Sequence, residues 1–79
     1  MKTLVRLPAV LAARGRRKTA HYSDIAAGLF TCGVAIGPRS VAWPQSEVEA
    51  INAARIAGKA DDEIRDLVRR LEADRKAAK

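Results

Sequence analysis

Arg16-Arg17-Lys18-Thr19-Ala20-His21-Tyr22-Ser23 sets three adjacent cations ahead of a run of hydrogen-bonding side chains. This is the order that a helix entering a duplex requires, with positive charge where the phosphates lie and polar side chains one turn on, where base edges begin. A cation triplet in a turn is equally what a solvated corner contains, so the rest of the chain has to decide between the two. Arg39, in Gly37-Pro38-Arg39-Ser40, is a second cation placed where it can project. His21 is the only histidine. Alone it forms no recognisable metal site, and with no serine, cysteine or paired carboxylate beside it, it makes a poor catalytic base. Two readings of it stand: a donor to a base or phosphate, or a side chain packed beneath its own helix. It is counted here with the DNA-facing set. Asp24 would be repelled by DNA and is expected to point away. No enzyme, metal, cofactor or small-molecule ligand is implied.

The charge distribution favours a polyanion partner. Residues 1–42 carry Lys2, Arg6, Arg14, Arg16, Arg17, Lys18 and Arg39 against Asp24 alone, which accounts for the whole net charge of +6. Residues 43–79 are balanced between basic and acidic side chains. A polyanion-binding face joined to a self-paired neutral segment has this asymmetry. The basic segment lacks the bulky apolar face of an interfacial membrane helix. No apolar run approaches the roughly 18 residues of a membrane span, and no signal-peptide core is present. A cytoplasmic, nucleoid-associated protein is expected. The lone Cys32 allows no intramolecular disulfide and is expected to be a small half-buried residue.

The elements that must position these residues can be read from punctuation and periodicity. Leu4 to Leu7 is a short extended segment, and Pro8 suits the first turn of a helix that carries Val10, Leu11 and Arg14 and stops at Gly15. Tyr22, Ile25, Ala26 and Leu29 fall at helical spacing before and after Gly28, predicting a second short helix in which Tyr22 is a core residue whose hydroxyl reaches a phosphate. Two short helices and a tight turn make a helix-turn-helix. Val34-Ala35-Ile36 and Val41-Ala42-Trp43 flank the Gly37 to Ser40 turn as a β-hairpin, a wing that carries Arg39 toward the minor groove. Trp43 reads as a core anchor of that hairpin. A third helix runs from Pro44 to about Ala57, with Glu47 and Glu49 near its positive end and Val48 and Ile51 facing inward.

Beyond Gly58-Lys59, Asp61 caps a fourth helix with Ile64, Leu67, Val68 and Leu71 on one stripe. Asp61/Arg65, Asp66/Arg70 and Glu72/Lys76 are i, i+4 pairs on its outer side, and the Ala-Lys-rich C-terminus is expected to fray. The stripe either completes this chain's own core or forms an oligomerisation face. The fold class expected is mainly α with a small β-hairpin wing, a winged helix-turn-helix over 1–57 with a C-terminal amphipathic helical extension over 58–79.

From Leu4 to about Ile56 the order of residues resembles the AlpA-type regulators of prophages and integrative elements, which are related in architecture to MerR-type DNA-binding domains and phage excisionases. The resemblance rests on Arg6-Leu7-Pro8, Val10-Leu11, Gly15, Tyr22 with Ile25, Gly28-Leu29-Phe30, Ile36 to Trp43, and Ser46-Glu47-Val48. The hairpin word followed by the Ser-Glu-Val helix start is its most specific part. The tail from Asn52 through Leu71 looks like an extension that a subset of these proteins carries.

That resemblance implies a second helix in the major groove, with Arg17, Lys18, Thr19, His21 and Ser23 facing it and Arg39 and Ser40 at the wing. Family members commonly have Leu-Ser-Arg-Ser-Thr where this chain has Arg16-Arg17-Lys18-Thr19-Ala20, so the usual serine cap becomes Arg17, and Thr19 is the other candidate cap. An arginine often seen after the tyrosine is Ser23 here, and a proline often found before the wing is absent at Thr31-Cys32-Gly33. The expected function is sequence-specific binding of double-stranded DNA as a recombination directionality factor, or excisionase, that bends attachment-site DNA for a tyrosine integrase. The alternative is an AlpA-like transcriptional regulator of integrase or excision genes. Either would act by self-association on DNA repeats. A rival of another class is a small protein-interaction adaptor that uses its fourth helix as the binding surface.

Overall fold

The computed structural model describes residues 3–77, with side chains through Arg75. Elements follow in the order β1 (Leu4–Arg6), α1 (Leu7–Arg14), α2 (Lys18–Ala26), β2 (Val34–Gly37), β3 (Ser40–Pro44), α3 (Gln45–Ile56) and α4 (Asp61–Ala77). Four helices and a small antiparallel sheet make a mainly α, winged-helix-like fold among the described residues. The end expected to fray and the side chain of Lys76 lie outside the described residues.

β1 does more than lead into α1. It lies alongside β3, with Val5 opposite Trp43 and Arg6 opposite Ala42, and the sheet order is β1-β3-β2. The Gln45 amide donates to the Thr3 carbonyl at 2.7 Å and continues this pairing. The hairpin of β2 and β3 turns at Pro38-Arg39, with an irregularity between Ala35 and Gly37. Trp43 anchors it as expected: its ring is buried and its indole N–H donates to the Thr31 carbonyl at 2.8 Å.

α1 ends where Gly15 adopts φ 65°, a left-handed conformation costly for any residue with a Cβ. Gly15 N–H then reaches the Ala12 carbonyl and Arg16 N–H the Leu11 carbonyl, closing the helix with the paired bonds of a Schellman motif. The chain therefore reverses within three residues to start α2.

The core holds Val10, Phe30, Trp43, Val48 and Ile51 together with Ile64 and Val68 of α4, and Leu67 and Leu71 pack against it. The stripe entertained as an oligomerisation face is thus taken up within the chain, because the remaining elements leave Phe30, Trp43 and Ile51 to be covered and α4 presents its apolar side to them. Polar clasps hold it there. Arg75 makes a two-pronged contact with the buried Glu47 and donates to the Cys32 carbonyl at 2.8 Å, while the Cys32 amide donates to Glu72 at 2.8 Å. Arg65 donates to the Ala27 carbonyl at 2.9 Å, tying α4 to the end of α2.

The outer charges of α4 pair differently from expectation. Arg65 meets Asp62 and Arg69 meets Asp66, both at i, i+3, and Asp61 faces Arg55 of α3; the Glu72/Lys76 pair falls outside the described side chains, and Glu72 accepts from the Cys32 amide. Asp61 and Arg65 turn to partners outside α4, because i, i+4 neighbours contribute only a few tenths of a kcal/mol, and i, i+3 pairs of similar worth take the remaining charges. Cys32 itself is exposed rather than half-buried. Partial desolvation and the adjacent Glu72 carboxylate push the thiol pKa up, which favours the protonated, poorly nucleophilic form.

Candidate nucleic-acid interface

A buried polar cluster ties α1 and the turn after it to α2. Arg14 takes the inward position one helical repeat after Leu7, on the face of Val10, and its guanidinium lies with Cζ 4.0 Å from the Phe30 ring centroid. Its Nη2 donates to Asp24 Oδ2 at 2.7 Å and its Nη1 to His21 Nδ1 at 2.7 Å. From the turn, Arg16 donates to the same carboxylate through Nε at 3.1 Å and Nη2 at 2.8 Å. One carboxylate on α2 thus gathers two arginines from α1 and the turn.

The bonding fixes the protonation of this cluster. Arginine can only donate, so His21 Nδ1 must accept, and the imidazole is the neutral tautomer with its proton on Nε2. Burial and the nearby Arg14 charge hold the His21 pKa below its usual value. Nε2 has no hydrogen-bond partner among the described residues, and the ring makes T-shaped contacts with Trp43 at 5.0 Å and Phe30 at 5.2 Å. For Asp24, burial raises the pKa, but the hydrogen bonds from Arg16 and Arg14 outweigh it and the net shift is downward. Burial lowers the pKa of Arg14 against the pull of Asp24.

This cluster selects the packed reading of His21 over its place in the DNA-facing set and corrects the core reading of Tyr22. His21 is fully buried, so it offers no atom to a base or phosphate. Tyr22 is 42% exposed instead of being a core residue. The inward face of α2 is His21, Asp24 and Ile25, one residue out of register from the apolar reading. Two polar side chains go inside because Arg14 and Arg16 supply the donors that their burial demands. The signal was present in the sequence: a charged residue on the apolar stripe of α1 and a single acid in the whole basic half.

The opposite face of α2 presents Lys18, Thr19, Tyr22, Ser23 and Ala26, all at least partly exposed. With Asp24 turned inward, this face carries no carboxylate. Arg17, exposed, stands at the N-cap with extended backbone and no side-chain cap, so Thr19 is not the cap and α2 starts at Lys18. The first intrahelical bond runs from His21 N–H to the Arg17 carbonyl at 2.9 Å, which leaves the amides of Lys18, Thr19 and Ala20 without helical acceptors. A helix N-terminus with free amides and flanking cations suits an anionic oxygen. At the wing, Arg39 is exposed at the tip and Ser40 is half-buried. Of the cation triplet, Arg17 and Lys18 are exposed without an ion-pair partner among the described residues, while Arg16 is partly committed to Asp24.

A short first helix, an outward-facing second helix, a cationic hairpin and a third helix packed into the core now coincide with a family match. A family model for the prophage CP4-57 regulatory protein, AlpA, matches residues 3–56. The chain belongs to the AlpA family. Comparison with curated proteins gave no match, and neither did comparison with solved structures. The AlpA match ends at the last residue of α3, so α4, which completes the core, lies beyond it. AlpA proteins are a regulatory family.

Proposed function

We propose that this AlpA-family protein binds double-stranded DNA sequence-specifically, with α2 in the major groove and the hairpin over an adjacent minor groove or backbone. The observation that carries this reading is the inward, doubly paired Asp24. It removes the one acid of the first half from the surface and leaves the outward face of α2 to Lys18, Thr19, Tyr22 and Ser23, with Arg17 at its head. Arg17 and Lys18 hold phosphates, Thr19, Tyr22 and Ser23 reach base edges or backbone, and Arg39 with Ser40 senses the groove at the wing.

One such unit covers little DNA, so occupancy of several repeats by several copies supplies the affinity. This favours a recombination directionality factor that bends attachment-site DNA beside a tyrosine integrase. The family's regulatory character equally supports control of integrase or excision genes at a promoter. Footprinting on the attachment-site and integrase-promoter DNA of the protein's own element, over a range of salt, tests both. Repeated protection at the attachment site supports the first role and protection confined to the promoter the second. Absence of sequence-restricted protection overturns DNA recognition and favours a protein-interaction adaptor.

A further inference from the structure

Beside the cation triplet, a cleft of about 360 Å³ opens between the C-terminal ends of α1 and α3, lined by Ala13, Arg14, Arg16, Asn52, Arg55 and Ile56. No carboxylate lines it. Asn52 Nδ2 donates to the Ala13 carbonyl at 3.0 Å and fixes the two helix ends against each other. Arg14 is consumed by His21 and Asp24, but the two guanidiniums at the mouth keep unused donors. Arg16 bonds Asp24 through Nε and Nη2, leaving Nη1 without an acceptor among the described residues. Arg55 has only a 3.4 Å contact from Nη1 to Asp61, leaving Nε and Nη2. Their side chains are 43% and 39% exposed.

We propose that Arg55, with Arg16, forms a second phosphate site that grips the DNA backbone beyond the reach of α2, a proposal that rests on the DNA-binding reading above. Arg16 joins the cleft to Arg17 and Lys18 in consecutive residues, so a strand whose phosphate meets the head of α2 has its next cationic donors at the cleft mouth. Ile56, 87% exposed at the end of α3, offers an apolar surface beside them for a deoxyribose. Of the nearby acids, Asp62 and Glu63 are paired with Arg65 and Lys59, while Asp61, held by Arg55, is the carboxylate that a phosphate displaces. The exposed Arg55–Asp61 contact is weak and yields to a phosphate, which binds a guanidinium through a geometrically matched pair of oxygens.

The test is anisotropy of the full-length protein on the duplex that the wild type protects, between about 50 and 200 mM salt. Arg55→Gln is expected to weaken binding roughly 3–10-fold and to flatten the log–log salt slope by about 0.9, as removal of one phosphate contact requires. Arg55→Lys keeps most of the slope, and Asp61→Asn strengthens binding about twofold by freeing Arg55. Ethylation interference at the flanking phosphates disappears in Arg55→Gln while that at the phosphates of Arg17 and Lys18 persists. An unchanged slope and unchanged interference in a folded Arg55→Gln protein overturn the proposal. So does a cleft that takes inorganic phosphate while the DNA slope stays the same, since the anion is then a free one. If the wild type itself lacks sequence-restricted protection, it is the DNA-binding reading that fails.

Discussion

Arg14 and His21 are joined by a 2.7 Å hydrogen bond in which the guanidinium donates and imidazole Nδ1 accepts. The bond makes the junction of α1 and α2 sensitive to acid. His21 is neutral in the fold, with its pKa held below the unfolded value of about 6.5 by burial and the Arg14 charge. The unfolded chain therefore binds the extra proton first as pH falls. Its contribution to stability is whole above pH of about 6.5 and declines below it, until the folded-state pKa is reached. Asp24, whose pKa is lowered, adds a second loss of the same sign as pH falls through the carboxylate range. Thermal melts between about pH 7.5 and 5 should show a falling midpoint in the wild type and a flatter dependence in His21→Gln. Equal slopes in the two proteins would count against the His21 account.

Asp24→Asn should be among the most damaging single changes. It leaves the Arg14 guanidinium, whose side chain is only 4% exposed, without its counter-charge. Removing one partner of a buried ion pair costs about 3–5 kcal/mol, much of the stability available to a domain of this size. Urea denaturation is the measurement, and a loss below about 1 kcal/mol would mean that Arg14 finds water or another acceptor.

The pattern of the sequence made the order of elements, the wing and the Trp43 anchor legible, because glycine and proline punctuation and apolar spacing are local signals. The inner face of α2 was not legible in that way. Periodicity counts apolar residues, and here His21 and Asp24 fill inward positions through donors that come from a different helix and the turn after it. The partners of α4's charges were hidden for the same reason, as Glu72 meets the Cys32 amide 40 positions away. The exposed cations Arg17, Lys18 and Arg39 could be picked out, because a surface cation needs no partner to be recognised. The role of Arg55 needed the fold, which sets α3 beside the end of α1.

Arg17→Ala with Lys18→Ala should leave folding intact while removing DNA affinity, since both side chains are exposed and unpaired among the described residues. If these two cations bind phosphates as proposed, the salt slope should flatten by about 1.8. Circular dichroism and anisotropy together check this. Retained affinity at physiological salt would move the interface away from the head of α2.

Gly33→Ala tests how firmly the wing is seated. A Cβ at this position would stand 3.1 Å from Trp43 Cζ2 and 3.2 Å from Val41 Cβ, closer than ordinary contact. Either the Trp43 ring or β3 must give, at a cost of about 1–3 kcal/mol. The change should lower the melting midpoint, alter the Trp43 fluorescence and weaken the DNA contact proposed for Arg39. An unaltered melt would show that the hairpin shifts freely on its base.

Truncation after Gly58 separates two roles for α4. If the helix were an appended pairing surface, the shortened protein would stay folded, keep single-site DNA contacts and lose cooperativity. The core says otherwise: Ile64 and Val68 are buried among Val10, Phe30, Trp43 and Ile51, and the buried Glu47 would lose Arg75. Full burial of each such aliphatic side chain stabilises by about 1.5–3 kcal/mol, and stranding Glu47 adds to the loss. The sum approaches the whole stability of a small domain. The truncated protein is therefore expected to be largely unfolded by circular dichroism at about 25 °C and to bind DNA only without sequence preference, through its retained cations. A cooperative melt of the truncated chain would show that residues up to α3 close a core of their own.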